Sequence, residues 1–87
     1  MRSKHRKIIN AIFSEPTRAN IIWKDVESML ISLGACVEEA AGSRICIELN
    51  GVVAVFHRPH PRKETDKGAV KSLQRFLIEA GVSYAWV

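Results

Sequence analysis

Two segments in the first part of the chain carry apolar residues at the three- and four-residue spacing of an amphipathic helix. The apolar face of the first segment consists of Ile8, Ile9, Ile12 and Phe13. Ser3 is its predicted N-cap, and the helix is expected to end near Ser14 because Pro16 cannot continue it. The apolar face of the second segment consists of Trp23, Val26, Met29, Leu30 and Leu33. Gly34 predicts the end of this second helix.

Beyond Gly34 the period of the apolar positions changes from helical to two. Residues 35–40 alternate in this way and predict a short, half-exposed strand that a Gly42-Ser43 turn ends. The next two runs, 44–49 and 52–58, are joined by Asn50-Gly51, a dipeptide typical of a two-residue type I′ hairpin. The sequence therefore predicts three consecutive antiparallel strands.

The hairpin also predicts a register, because its two-residue loop determines which residues lie opposite each other. On the apolar face the expected pairs are Leu49 with Val52, Ile47 with Ala54, and Ile45 with Phe56. On the opposite face Arg44 and His57 should be cross-strand neighbours, with Cβ atoms roughly 5 Å apart. The apolar face is expected to contact the helices.

A Pro59-His60-Pro61 segment ends the third strand, and a polar loop leads to Asp66, a predicted N-cap. The helix that follows has a single apolar stripe and ends at Gly81. The stripe consists of Ala69, Val70, Leu73, Phe76, Leu77 and Ala80. The tail, residues 83–87, has no clear period, and packing as a strand or covering a partner surface both remain open.

The order helix, helix, three antiparallel strands, helix predicts an α+β fold with one sheet packed on a helical layer. At 87 residues the chain has room for one compact domain. A composition of 47% hydrophobic and 25% charged residues is that of a globular protein. No apolar run approaches the roughly 20 residues of a membrane span, and a cytoplasmic protein is expected. Cys36 and Cys46 fit a reduced pair better than a disulfide or a metal site.

The positive charge of the chain is concentrated in one stretch. The formal net charge is +4, and residues 58–75 contain six basic and two acidic side chains, whereas the remaining chain is balanced. Such a distribution is typical of a localised surface that binds a polyanion.

Several short motifs, in this order and spacing, resemble the HicA toxin family. They are Gly42-Ser43, Pro59-His60-Pro61, Lys67-Gly68 and Ala80-Gly81. From Trp23 onward the order helix-strand-strand-strand-helix is also similar to the double-stranded-RNA-binding fold, and the resemblance covers about residues 23–82. It implies a HicA-like domain over residues 21–87, with residues 1–20 as an N-terminal helical extension.

The resemblance further implies an endoribonuclease that cleaves mRNA without a metal or another cofactor. It implies a HicB-type antitoxin, encoded beside the toxin, as the protein partner. In that family a histidine usually follows the Gly-Ser pair, and here the position holds Arg44. The oligomeric state stays open.

Metal-free RNA cleavage needs a base for the 2′-hydroxyl proton, a cation for the phosphorane and an acid for the departing 5′-oxygen. His57 is the main candidate for proton transfer, because imidazole exchanges protons near neutral pH. Arg44 beside it could hold a phosphate, and His60 could serve as a second acid or base. The alternatives are that His57 simply ends an edge strand and that His60 is a turn residue. His5 is expected to be a solvated surface residue.

The candidate RNA-binding residues come from the basic stretch. They are Arg58, Arg62, Lys63, Lys67, Gly68, Lys71 and Arg75. Lys67 and Gly68 open the last helix, whose free amides favour phosphate, and Lys71 and Arg75 follow at one-turn intervals. The alternative is a solvated helix face. Trp23, Phe56 and Phe76 are better explained as core residues than as base-stacking platforms.

Three functions remain possible from the sequence. The leading hypothesis is a nuclease toxin acting through the open sheet face and the basic helix edge. A non-catalytic RNA-binding module of the same fold is the second, and a protein-interaction adaptor is the third.

Overall fold

The computed structural model describes residues 2–82 of the 87-residue chain. Its helices are α1 (Ser3–Ile12), α2 (Trp23–Ser32) and α3 (Lys67–Glu79). Its strands are β1 (Ile21–Ile22), β2 (Cys36–Glu39), β3 (Arg44–Leu49), β4 (Val52–His57) and β5 (Glu64–Thr65). The predicted α+β fold is confirmed, with the antiparallel sheet β2-β3-β4 following α2 and preceding α3 in the chain. The alternatives considered for residues 83–87 lie outside the described residues.

The hairpin between β3 and β4 has the geometry that its sequence predicts. Asn50 and Gly51 have φ values of 52° and 83°, as a type I′ turn requires. The predicted register is confirmed over the whole hairpin, from Leu49 opposite Val52 to Arg44 opposite His57. The Asn50 side-chain amide also donates a 2.8 Å hydrogen bond to the carbonyl oxygen of Ala80. The hairpin turn is thereby attached to the C-terminal end of α3.

Replacing Asn50 should separate these two roles of the turn. Asn50→Gly keeps the left-handed backbone but removes the bond to Ala80, and should cost about 1 kcal/mol of unfolding free energy. Asn50→Ala adds left-handed strain of about 1–2 kcal/mol. Urea unfolding of both variants measures the difference. Equal losses would mean that the backbone conformation contributes nothing.

One face of the sheet and the helices enclose the core. Ile45, Ile47 and Leu49 of β3 and Phe56 of β4 are buried, whereas Val53 and Val55 point to the open face. The buried stripes of α2 and α3 meet this face, as predicted. The chain thus leaves one sheet surface uncovered by its described residues.

The N-terminal helix is part of the same core. α1 contacts both α2 and α3, and its Ile9 and Ile12 are fully buried. The division into an extension (residues 1–20) and a domain (residues 21–87) remains a prediction. Two expectations about α1 were wrong. Arg2, and not Ser3, is the N-cap, and no side chain caps the helix. His5 is only 7% exposed, with Nε2 lying 3.2 Å from Ser28 Oγ, because α1 packs this face on α2.

A second, two-stranded sheet was not predicted. β1 pairs with β5 in antiparallel register, Ile21 opposite Thr65 and Ile22 opposite Glu64. The backbone N–H of Trp23 adds a 3.0 Å bond to the carbonyl oxygen of Lys63. These bonds attach the loop after β4 to the start of α2.

Candidate functional site

Arg44 and His57 lie side by side at the end of the β3-β4 hairpin. They are register partners on the open sheet face, and both are exposed. Arg44 Nε donates one long bond, 3.4 Å, to the carbonyl oxygen of Ala41. Within residues 2–82 its other guanidinium N–H groups have no acceptor, so they can bind an anion next to the imidazole of His57.

His57 and His60 share one cleft, called here the histidine cleft, of about 270 Å³. It lies where β4 ends, beside the N-terminus of α3. Its lining consists of His57, Arg58, Pro59, His60, Arg62, Glu64, Thr65, Asp66 and Ala69. His57, His60 and Arg62 therefore line one space that is large enough for a phosphodiester group, together with the acidic residues Glu64 and Asp66. Arg44 lies outside this lining, next to His57 on the sheet.

Arg58 is held by two carboxylates. Its Nε and Nη2 donate to Glu27 at 2.8 and 3.1 Å, and its Nη1 donates to both oxygens of Glu39 at 2.6 and 2.7 Å. The indole N–H of Trp23 also donates to Glu27. This group of four residues, the Arg58 cluster, joins α2, β2 and the end of β4. Its acidic members neutralise Arg58, so Arg58 positions the backbone next to His57 more readily than it binds RNA.

The Arg58 cluster changes the protonation of its members. The hydrogen bonds from Arg58 lower the pKa of Glu27 below its ordinary value of 4.5, against an opposing effect of burial and with a further contribution from Trp23. Hydrogen bonds to Glu27 and Glu39 raise the pKa of Arg58. Both groups are therefore charged at neutral pH.

Three cations line one side of α3, and we call Lys67, Lys71 and Arg75 the cationic edge of α3. All three are exposed, and none forms an ion pair with a carboxylate of residues 2–82. Arg62 and Lys63 are exposed in the preceding loop. These five cations are thus exposed and without a carboxylate partner among residues 2–82, whereas Arg58 is partly exposed and paired with Glu27 and Glu39.

The N-terminus of α3 is already occupied by an acidic side chain. Asp66 is the predicted N-cap, and its Oδ1 accepts a 2.8 Å bond from the N–H of Ala69. A Cβ at Gly68 would lie 3.3 Å from the same oxygen, so the glycine leaves room for this cap. Lys67 therefore offers a phosphate its ammonium group more readily than the helix offers its amides.

Trp23, Phe56 and Phe76 are core residues, as expected. Phe56 packs between Trp23 and Phe76, at ring-centroid distances of 5.8 and 5.9 Å. Each of the three rings is at most 5% exposed. They are not available for stacking on bases.

The cysteines and the other titratable side chains form no disulfide and no metal site in the described part of the chain. Cys36 and Cys46 are free thiols. Across residues 2–82, no three His, Cys, Asp or Glu side chains lie close enough together to hold a metal ion. None of the described helices has the length and apolar content needed to span a bilayer.

Comparison with known families assigns the chain. Residues 23–82 match the family model of the HicA toxin of bacterial toxin-antitoxin systems. The chain belongs to the HicA toxin family. No curated protein and no solved structure gives a match. The HicA match begins at the first residue of α2 and ends after α3, so it includes the hairpin, the histidine cleft and the cationic edge.

Sequence reasoning missed two residues of this HicA domain that position the candidate site. Glu27 and Glu39 lie 31 and 19 residues before Arg58, and no local pattern links them to it. The sequence showed only that α2 and β2 each contain an acidic residue, and the fold places both elements beside the end of β4. Without the register of β2 on β3, this proximity could not be derived.

The Arg58 cluster predicts acid sensitivity. The pKa of Glu27 is lower in the folded state than in the unfolded state. The ionised Glu27 carboxylate therefore stabilises the fold at any pH above its unfolded-state pKa. This stabilisation is lost as the pH falls through the folded-state pKa of Glu27. Unfolding free energy should therefore drop as the pH falls below about 5, and Glu27→Gln should flatten this drop.

Urea unfolding across this pH range checks the prediction. Glu48→Gln is the matched control, because Glu48 is exposed and has no ion pair within residues 2–82. If the two variants have the same pH profile, the Arg58 cluster does not supply the acid sensitivity.

Proposed function

We propose that this HicA-family chain is the cytoplasmic toxin of a type II toxin-antitoxin system. In this proposal it is a metal-independent endoribonuclease that cleaves mRNA and is neutralised by a HicB-type antitoxin. The observation that carries the proposal is the shared cleft of His57 and His60, with Arg44 as the cross-strand neighbour of His57. Metal-free cleavage requires two proton-transfer groups and a cation close to one phosphate, and in this proposal the two imidazoles line the cleft while Arg44 lies beside it on the sheet.

The proposed chemistry assigns one step to each residue. One imidazole, that of His57, takes the proton of the ribose 2′-hydroxyl as this oxygen attacks the neighbouring phosphorus. The guanidinium of Arg44 stabilises the charge that builds on the phosphorane oxygens. His60 donates a proton to the 5′-oxygen as its bond to phosphorus breaks. Imidazole suits both proton transfers because it changes charge near neutral pH.

The cationic edge of α3, with Arg62 and Lys63, is proposed to hold the RNA backbone. These side chains are exposed and have no carboxylate partners among the described residues. Contacts of this kind position an RNA strand without reading its sequence. Arg58 is proposed to act indirectly, by holding the backbone next to His57 through Glu27 and Glu39.

An RNA cleavage assay with purified protein tests the enzymatic proposal. The wild-type chain should cleave a labelled mRNA fragment equally well with and without EDTA, leaving a cyclic phosphate on the 5′ fragment. Intact RNA at protein concentrations that saturate binding would reject the proposal. Activity that EDTA removes would reject the metal-independent chemistry.

A non-catalytic RNA-binding module is the second candidate function. It is favoured by Arg44, which stands where the family resemblance implies a histidine. The two candidates differ in one result, since a pure binding module retains RNA affinity and shows no cleavage product in the same assay.

Both candidates predict the same salt dependence of RNA binding. Replacing Lys67, Lys71 and Arg75 together by alanine should lower affinity and reduce the slope of log K against log salt by about 2. The control replaces Arg6, Lys7 and Lys24 together by alanine. These three cations are also exposed, but they lie outside the proposed RNA-binding surface. Fluorescence anisotropy over a salt series provides the slopes. Equal slopes for the two triple variants would show that RNA binds cations over the whole surface without preference for the cationic edge of α3.

A further inference from the structure

A second cleft lies between α3 and the segment that joins α1 to β1. Its volume is about 510 Å³, compared with about 270 Å³ for the histidine cleft. Glu15 and Thr17 line it from the connecting segment, and one face of residues 71–79 lines it from α3. The side-chain amide of Gln74 donates a 2.6 Å hydrogen bond to the carbonyl oxygen of Ile12, which attaches the start of the segment to α3. We call this space the α3 cleft.

The α3 cleft combines residues from inside and outside the family match. The match begins at residue 23, so Glu15 and Thr17 precede it, whereas the α3 side of the cleft lies within it. The cleft therefore exists because residues 1–20 pack on the HicA domain. Any property of the cleft that needs Glu15 or Thr17 belongs to this chain and does not follow from family membership.

The charged side chains around the α3 cleft are balanced and unpaired. Lys71 and Arg75 are its cations, and Glu15 and Glu79 are its carboxylates. All four are exposed, and none forms an ion pair within residues 2–82. A balanced lining gives no preference for a simple anion. It offers hydrogen-bond donors and acceptors to a ligand that carries both.

One part of the lining places a donor group, an acceptor group and an apolar side chain next to each other. Arg75 and Glu79 lie one turn apart on α3, a spacing that brings Cβ atoms to roughly 5–6 Å. Ile78 lines the same cleft, and it is 62% exposed. A nucleobase has the matching surface, because its faces are apolar and its edges carry donors and acceptors side by side.

The chemistry of this lining selects one of the four RNA bases. Guanine has two neighbouring N–H groups, at N1 and N2, on its Watson–Crick edge, and a carboxylate can accept from both. It also has the acceptors O6 and N7, the usual contacts of an arginine. Adenine, cytosine and uracil each present an acceptor next to the N–H group on that edge, and this acceptor would face the carboxylate. The lining therefore fits guanine better than the other three bases.

We propose that the α3 cleft binds one guanine nucleotide of the bound RNA. Glu79 accepts from N1–H and N2–H of the base, Arg75 donates to O6 and N7, and Ile78 contacts its face. Glu15 accepts from the ribose 2′-hydroxyl across the cleft, and Lys71 contacts the phosphate. The proposal rests on the RNA binding within the proposed function and does not depend on RNA cleavage. It adds a sequence preference to a surface whose other contacts are with the RNA backbone.

Mononucleotides test the preference of the full chain for the base. GMP, IMP and AMP share the ribose and the phosphate, and IMP differs from GMP only by lacking the 2-amino group. GMP should bind at least about tenfold more tightly than AMP and several-fold more tightly than IMP, the discrimination expected of a bidentate contact. NMR titration measures these affinities even where binding is weak. Equal affinities for the three nucleotides would overturn the proposal.

A second arm uses RNA and separates the two sources of guanine. The probes are a short single-stranded RNA with one guanine and the same RNA with inosine at that position. The guanine RNA should bind several-fold more tightly, and GMP should compete with it. A preference for GMP without a preference between the RNAs would assign the cleft to a free nucleotide and overturn its role in RNA binding. RNA binding without base preference would overturn this inference alone, whereas absence of RNA binding would reject the proposed function as well.

Variants of the lining locate the preference. Glu79→Gln places an amide N–H against the N–H groups of guanine, so the preference for GMP over AMP should disappear while the affinity for AMP stays the same. Glu48→Gln, an exposed carboxylate on the open sheet face, is the matched control and should retain the preference. Glu15→Ala should bind GMP and 2′-deoxy-GMP equally, whereas the wild-type chain should prefer GMP. An unchanged preference in Glu79→Gln would reject the α3 cleft as the site, and an unchanged one in Glu15→Ala would reject the contact from residues 1–20.

Discussion

Alanine in place of His57 is expected to slow RNA cleavage by about 10²- to 10⁴-fold, the usual contribution of a positioned acid or base. RNA affinity should change little, because the cationic edge of α3 and the loop residues Arg62 and Lys63 remain. The side chain of His57 is exposed at the end of β4, so its loss should leave stability nearly unchanged. Single-turnover cleavage, anisotropy and urea unfolding measure the three quantities.

A glutamine at position 57 sharpens the same test. Glutamine keeps a polar side chain of similar length and can donate a hydrogen bond, but it cannot exchange a proton near neutral pH. His57→Gln should therefore be as slow as His57→Ala. Full activity of the glutamine variant would show that His57 binds the substrate and does not transfer its proton.

The parts of the fold that the sequence predicted are those with local causes. Asn50-Gly51 determines a turn by backbone geometry alone, and that turn determines the pairing of Arg44 with His57. The apolar stripe of α3 and its Asp66 cap likewise lie within one continuous segment. For this reason the pairing of Arg44 with His57 could be derived from the sequence alone.

The parts that could not be predicted depend on contacts between distant segments. His5 is buried because α1 packs on α2. The apolar face of α1 indicates that the helix packs on another element, but nothing in residues 1–14 indicates that this element is α2. The histidine cleft requires the path of residues 58–66, which the β1-β5 pairing and the Arg58 cluster determine. The two strands of that pairing have two residues each, too short for a period to reveal.

The role of Arg58 shows how the same limit affects charge arguments. Counting charges placed Arg58 in a basic stretch, and the count over residues 58–75 is correct. The count does not show that Glu27 and Glu39, from other parts of the chain, are bound to Arg58. A charge run therefore predicts where cations lie in sequence, whereas their availability to RNA depends on which carboxylates the fold brings to them.

Removing the ring of Phe56 should cost more stability than any other single change considered. Phe56 is 5% exposed, lies between Trp23 and Phe76, and pairs with the buried Ile45. Phe56→Ala should lower the unfolding free energy by about 3–5 kcal/mol through lost burial and the cavity left behind. A chain of this length has roughly 4–13 kcal/mol in total, so much of its stability depends on this one side chain.

The neighbouring residue provides the control, because the register places it on the other face of the sheet. Val55 is 60% exposed, and Val55→Ala should cost less than about 1 kcal/mol, the range of strand propensity. Urea unfolding at neutral pH compares the two variants directly. Since a register shift of one residue would exchange their faces, similar losses for both would contradict the pairing of Arg44 with His57 as well as the core. The same measurement thus tests the fold and the geometry from which the cleavage chemistry was derived.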